Sequence, residues 1–300
     1  MTRVPQQSIK AFTIALAAVA VLSIMDAVMK HLVLAIGIFA VSVWRSLANL
    51  TLSALLYLPR RARWPSRTTL RVHVSRGVVV TVMAFLFFWG IGRVPLAQAI
   101  ALTFIAPLIA LLLAAVFLDE RIERRSIAGS IIAFAGVIVI ILGQGRAQVG
   151  DRVLVGSAAI IGSALCYAAN IVLMRRQALA AKPLEINFFQ SLTVMTLWLV
   201  AIIFAGVPAW PGPHWGWIAV ACLLSTSGTL LFAWAYARGT ASYLAATEYS
   251  AFLWASALGW LVFHEPLSPY TLAGAALIVG GCLVAVGRKN VELPEIDVAA

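Results

Sequence analysis

Residues 85–137 read FLFFWGIGRVPLAQAIALTFIAPLIALLLAAVFLDERIERRSIAGSIIAFAGV. The stretch is an apolar run, a turn at Gly92-Arg93-Val94-Pro95, a second run, a charged turn at 119–125 and a third run. The pattern returns 145 residues later, as LLFAWAYARGTASYLAATEYSAFLWASALGWLVFHEPLSPYTLAGAALIVGGC over residues 230–282. Phe87 falls on Phe232, Trp89 on Trp234, Arg93 on Arg238, Glu120 on Glu265, Gly129 on Gly274 and Gly136 on Gly281. About a quarter of the 53 positions are identical without a gap. Trp, Arg and Glu keeping one register is more than apolar composition produces by chance. The same offset pairs Lys30 with Arg175 and Ser46 with Ser191. A duplicated unit of this kind points to a membrane transporter.

The whole chain agrees with that class. Its 300 residues are 62% hydrophobic and 11% charged, with mean hydropathy +0.98. Soluble domains are usually about 45–50% apolar and about 25% charged, so the expected solvent is lipid. Cys166, Cys222 and Cys282 lie in apolar runs and read as small buried hydrophobes rather than a disulfide framework. A net charge of +11 suggests nucleic acid in a soluble protein. Here the basic residues sit in short turns between apolar runs, which the positive-inside rule explains better, so no nucleic acid is expected. The first run, about 20 residues without an A-x-A-like site after it, reads as a retained helix rather than a cleaved signal.

Ten apolar spans follow in order: 11–30, 34–58, 76–92, 95–118, 126–142, 154–174, 184–206, 215–236, 240–263 and 268–287. Each is near the length a helix needs to cross the hydrocarbon core. With the N-terminus inside, Lys30, Arg93, Arg146 and Arg152 fall in outer turns and Arg45 within the second span, leaving 17 of the 22 Lys and Arg inside. That asymmetry places both termini in the cytoplasm. Five spans per copy is odd, so the second copy enters the membrane upside down. The expected fold is all-α and integral to the membrane: ten transmembrane helices as two inverted five-helix repeats, 1–143 and 151–288, around a central cavity. Residues 289–300 form an acidic, disordered cytoplasmic tail. The 143–150 linker and the 206–213 loop lie outside, and 60–76 is a basic inner loop suited to anionic lipid.

At this point a family resemblance enters. Ten spans in two halves, Phe117-Leu118-Asp119-Glu120 and Val262-Phe263-His264-Glu265 closing the fourth and ninth, and the Gly129/Gly136 and Gly274/Gly281 spacing resemble the EamA-type drug/metabolite transporters. Within that superfamily the chain is similar to YddG-type exporters of aromatic and other neutral amino acids. The resemblance covers nearly the whole chain and implies a ten-helix bundle whose cavity is formed mainly by helices 1, 3, 4, 6, 8 and 9 of the two halves.

Polar groups at membrane depth are costly, so each is a candidate. Glu248, beside Thr247 and Tyr249, is either a cavity carboxylate for a substrate ammonium or proton, or a structural group bonded to a neighbouring helix. Asp26 and Arg45 lie towards the outer ends of spans one and two. They are expected to meet as an ion pair, serving as a gate or zwitterion clamp, or as a static pair. Asn49, Gln98, Thr103, Tyr167, Asn170, Gln190, Thr193 and Tyr243 supply neutral hydrogen-bonding groups for a cavity or for interhelical contacts. Among the aromatic residues, Phe85, Trp89, Trp234 and Tyr249 are cavity candidates, while Trp44, Trp210, Trp215 and Trp217 read as interfacial belt. Glu120 and Glu265, just before spans five and ten, are placed to bond orphan amides at a helix start. The four glycines permit close helix packing, and Pro107 kinks span four.

The function expected is secondary transport, exporting small metabolites, foremost aromatic or neutral amino acids, across the bacterial inner membrane by alternating access. A drug or small-cation exporter is the alternative. No P-loop is present, and His31, His73, His214 and His264 are scattered, which disfavours an integral-membrane enzyme. Only Arg45 is placed within a span, which disfavours a sugar-phosphate or nucleotide-sugar carrier. No cofactor or metal is expected, and the partners are the bilayer and a small-molecule substrate, with the monomer as working unit.

Overall fold

The computed structural model describes residues 6–60, 64–106, 109, 124–146, 151–178, 181–236, 247, 248 and 250–286. Among these residues are ten α-helices: α1 (Gln6–Ile36), α2 (Ile38–Tyr57), α3 (Arg67–Ile91), α4 (Leu96–Thr103), α5 (Arg124–Arg146), α6 (Asp151–Ala178), α7 (Pro183–Ala205), α8 (Trp215–Tyr236), α9 (Ser250–Phe263) and α10 (Pro269–Val286). Apolar runs form helices because lipid offers no partner to a free amide or carbonyl. Six segments are long and apolar enough to cross a membrane, and the chain is a multi-pass membrane protein. Expectations resting on Pro107, Glu120, Tyr243, Tyr249, residues 147–150 of the linker and the 289–300 tail lie outside the described residues.

Local chemistry sets the helix ends. Gly37, at φ 80, closes α1 and opens α2 in a single residue, its N–H bonded to Val33 O at 3.1 Å. Positive φ costs glycine nothing. Ser66 caps α3, its Oγ accepting from Thr69 N at 3.2 Å. This corrects the sequence expectation: α3 begins at Arg67, not near 76, so much of the supposed inner loop is helix. Hydropathy reads charged first turns as loop, whereas a serine cap needs no apolar neighbour. The fourth span also differs. Helix α4 stops at Thr103, and Phe104 and Ile105 turn with bonds to Ala101 O and Leu102 O. Helix resumes at Ala106 and Ile109, where Ile109 N bonds Ile105 O at 3.1 Å.

Helix α3 packs on α6, α1 on α8, α2 on α7, α4 on α9 and α5 on α10. Contacts also join α3 to α7, α2 to α8, α1 to α9 and α4 to α6. The closest approach joins α5 and α10, which run antiparallel. A Cβ on Gly136 would lie 2.6 Å from Gly274 O, and one on Gly281 2.5 Å from Gly129 O. Only glycine lets backbones meet this closely. The main apolar core gathers Met29, Leu32, Ile91, Leu96, Leu102, Ile140, Ile160, Ile218 and Ile278. Large apolar side chains cover the outside as well, with Phe204 85% and Ile203 77% exposed. That surface suits lipid and would be anomalous in water.

Candidate functional site

The bundle has two ends. One carries Gly37, the 92–95 turn and Glu265; the other carries Trp64 and Lys182. At the Gly37 end, Lys30 projects from α1 and is 3% exposed. Its Nζ donates to Val94 O at 2.7 Å and pairs with Glu265. The other Glu265 oxygen accepts from Leu96 N at 2.8 Å, capping the start of α4. The ammonium also faces the Phe263 ring at 5.1 Å. Glu265 thus bonds an orphan amide at a helix start, as its sequence position suggested, but the helix is α4 rather than the one that follows it. The expectation that Lys30 lies in an outer turn is also overturned: it is buried on α1. Its carboxylate partner lies 235 residues away, which hydropathy cannot see. Beside this bridge lies a small hollow between α4, α9 and α10, into whose mainly apolar lining Gln98, Ser256, Glu265 and Thr271 bring polar groups.

Deeper in the bundle stand Asp26 and Arg45. They lie within electrostatic range of each other. The expected direct ion pair does not form: among the described residues the N···O contacts under 4.0 Å are Lys30–Glu265 and His73–Glu185. The Arg45 guanidinium lies over the Phe88 ring at 5.0 Å, and its Nε has no hydrogen-bond partner. Next to it, Cys222 Sγ donates to Asn49 Oδ1 at 2.9 Å. Tyr167 of α6 lies within electrostatic range of Glu248.

At the Trp64 end a polar network crosses three helices. Arg76 of α3 donates from Nε to Asn170 Oδ1 at 2.9 Å and from Nη1 to Gln177 Oε1. Gln177 then meets His73 Nδ1 through Nε2, and His73 Nε2 contacts Glu185 Oε1 at 3.3 Å. Arginine only donates, so it fixes the Gln177 oxygen towards itself and the amide N–H towards His73. His73 Nδ1 must then accept, and Nε2 carries the proton that goes to Glu185. The imidazole lies flat on Phe189, 5.1 Å between centroids and 7° between planes. His73 is fully buried and Arg76 is 9% exposed. Sequence reading assigned Arg76 to an inner turn and gave His73, Gln177 and Glu185 no part in a site. The 3- and 4-residue spacing of His73, Arg76 and Gly77 along one helix face was the available signal.

The remaining candidates are spread through the bundle. Gln98 Nε2 donates to Ser157 Oγ at 3.1 Å, linking α4 to α6. Thr103 Oγ1 bonds its own helix at Ile100 O, 2.7 Å away. Phe85 leans on Trp198 of α7 at 6.0 Å. Trp89 carries the Arg93 guanidinium on its ring at 3.5 Å, and Arg93 Nη1 donates to Trp89 O at 2.8 Å. Burial, then the neighbouring Arg152, hold the Arg93 guanidinium below its ordinary pKa. Trp234 is partly exposed near the end of α8. Trp44, Trp210 and Trp215 cluster edge to face at 5.2–5.4 Å, and Trp44 Nε1 donates to Ala209 O at 2.9 Å. That arrangement fits the belt reading. Lys30 and Arg76 therefore join Arg45 as basic side chains set into the bundle, but both are committed to protein partners.

Comparison with known proteins follows from this geometry. The chain is 26% identical over 270 residues to the pseudopaline exporter CntI of Pseudomonas aeruginosa, covering 89% of this chain and 93% of that one. It is 29% identical over 205 residues to a probable terminal-alkyne amino-acid exporter of Streptantibioticus cattleyicolor, 67% of each chain. It is 24% identical over 249 residues to a riboflavin transporter of Brucella anthropi, 81% of this chain and 86% of that one. A solved crystal structure matches 92% of this chain and 96% of its own at TM-score 0.59 and 22% identity, a likeness of fold alone. The EamA-like transporter family profile matches twice, at residues 9–142 and 154–287, and the chain belongs to that family.

Proposed function

We propose that this protein exports small amino-acid-like metabolites, aromatic or neutral amino acids first among them, across the bacterial inner membrane by alternating access. The working parts are two inverted five-helix units, 1–143 and 151–288. The observation that carries this reading is the crossing of α5 and α10. The 145-residue register puts Gly129 on Gly274 and Gly136 on Gly281. Exchanging the two copies therefore turns the Gly136–Gly274 approach into the Gly281–Gly129 approach. The crossing maps onto itself and is antiparallel, as inverted copies require.

Other contacts obey the same exchange. The α3–α6 pair becomes α8–α1, and α3–α7 becomes α8–α2. Gly90 packing on Gly156 and Ile160 becomes the cluster of Ala235, Ala11 and Ala15. Two related packings of one unit are what a rocking transporter interconverts. On this reading the Gly37 end is periplasmic and the Trp64 end, with both termini, cytoplasmic. The Lys30–Glu265 bridge ties α1 to the starts of α4 and α10, and must break for the periplasmic side to open. Glu248, Tyr167, Tyr249, Trp89, Trp234, Gln98, Thr103 and Phe85 are the path-lining candidates. One chain holds the whole site, so the monomer is the working unit. The export assigned to the pseudopaline and terminal-alkyne amino-acid relatives supports both direction and substrate class.

The test is counterflow in proteoliposomes holding purified full-length protein, using labelled phenylalanine, methionine and alanine, with and without a pH gradient. Saturable counterflow of at least one is expected, and Glu248→Gln is expected to reduce the flux or flatten its pH response. Absence of counterflow for all three, with accumulation of a hydrophobic cation such as tetraphenylphosphonium, would replace amino-acid export by drug export.

A further inference from the structure

We infer that Asp26 and Arg45 form the recognition site for the α-amino and α-carboxylate groups of a zwitterionic substrate. The inference rests on the amino-acid reading above and gives it an address. Both residues lie at membrane depth. Asp26 is ten residues before the end of α1, and Arg45 seven after the start of α2. At 1.5 Å per residue these are depths of about 15 and about 10 Å from the Gly37 end of the helices. Opposite charges that far into a bilayer normally close on each other, because separated charges carry the desolvation cost without the contact that repays it.

Here they do not close. The two attract but stay beyond ion-pair distance, and each keeps some accessible surface. Nearby alternatives are already used. Lys30, one turn along α1 from Asp26, is held by Glu265 and Val94 O. Asn49, one turn along α2 from Arg45, accepts from Cys222. The Phe88 ring under the guanidinium keeps its plane from collapsing onto Asp26. Arg45 Nε is left with a donor and no acceptor among the described residues.

A zwitterion completes this arrangement. Its ammonium meets Asp26, its carboxylate meets Arg45, and the charges alternate along the line. With both side chains ionised the site is neutral loaded and unloaded, so no net charge is stranded when the two halves rock. The same logic rejects other classes. A small cation meets Arg45, and a phosphate or simple carboxylate meets Asp26. A substrate lacking one group leaves a buried charge unmatched, the situation in which discrimination is steep.

The experiment is competition against labelled phenylalanine counterflow in proteoliposomes of the full-length protein. Competitors are phenylalanine, phenethylamine, which lacks the carboxylate, and 3-phenylpropionate, which lacks the ammonium. Both truncated analogues should compete about tenfold or more worse than phenylalanine. Arg45→Gln should lose the preference over phenethylamine while keeping that over phenylpropionate, and Asp26→Asn should do the reverse. If a variant is not monodisperse on size exclusion, the wild-type panel decides. Equal competition by either analogue overturns the inference and leaves amino-acid export standing, as does retention of both preferences in folded variants. If no amino acid supports counterflow, the export reading falls and this inference falls with it.

Discussion

The seam between α3 and α6 at the Trp64 end and the seam between α8 and α1 at the Gly37 end are counterparts in the 145-residue register, yet they are built from opposite materials. His73, Arg76, Asn170, Gln177 and Glu185 fall on Ile218, Ala221, Met25, Leu32 and Ala40. The first five form a hydrogen-bonded network. Of their counterparts, Leu32, Ile218 and Ala221 belong to the buried apolar core, Met25 packs against it and Ala40 is 3% exposed. The α1–α8 seam shows that a helix pair in this register packs with apolar residues at the five network positions. The network is therefore not demanded by the packing of such a pair, and under the alternating-access proposal its cost serves movement. Opening an apolar seam exposes its surface to water at about 25 cal/mol per Å². Opening a polar seam exchanges protein hydrogen bonds for water ones, with a net loss of only about 1 kcal/mol each. Under the alternating-access proposal, the Trp64 end is accordingly the one expected to open to water at lower cost.

The contrast can be broken from either side. Gln177→Leu leaves Arg76 and His73 buried without their shared partner, and should cost about 3–5 kcal/mol in reversible unfolding in mixed micelles. A loss under about 1 kcal/mol would mean the network is already hydrated. Placing the polar group on the dry side, Ile218→His, should cost about 2–4 kcal/mol from lost burial and an unmatched ring nitrogen. Replacing the network by its counterparts (H73I, R76A, N170M, Q177L and E185A together) should have the smallest effect on stability, within about 1 kcal/mol of wild type or above it. The same variant should transport far more slowly, because its second seam no longer opens cheaply. Undiminished counterflow with the apolar replacement would remove the functional meaning of the difference.

Much of this architecture was legible in the chain. Each run meets a described helix, because lipid leaves an apolar run no other backbone solution, although α4 covers only 8 residues of the fourth run and α9 only 14 of the ninth; the glycine spacing announced close helix packing. What could not be read follows one rule. Hydropathy pushes a cation near the end of an apolar run out of it, so Lys30 and Arg76 were assigned to turns, and α3 was started at 76 rather than at the Ser66 cap. Their partners Glu265, Gln177 and Asn170 lie 94–235 residues away, and no local pattern connects them. Asp26 and Arg45 were found by the cost of charge in lipid. That cost argued for contact between them, and only the three-dimensional arrangement reveals the gap.

The most direct test of alternating access places spin labels in pairs at the two ends, in full-length protein in nanodiscs with its native cysteines replaced. Leu34 and Val220 report on the α1–α8 end, and Ser75 and Lys182 on the α3 end beside the α6–α7 turn; all four are exposed. On adding saturating phenylalanine, the two distance distributions should shift in opposite directions, one pair closing as the other opens. Shifts in the same direction, or a change confined to one end, would contradict the account.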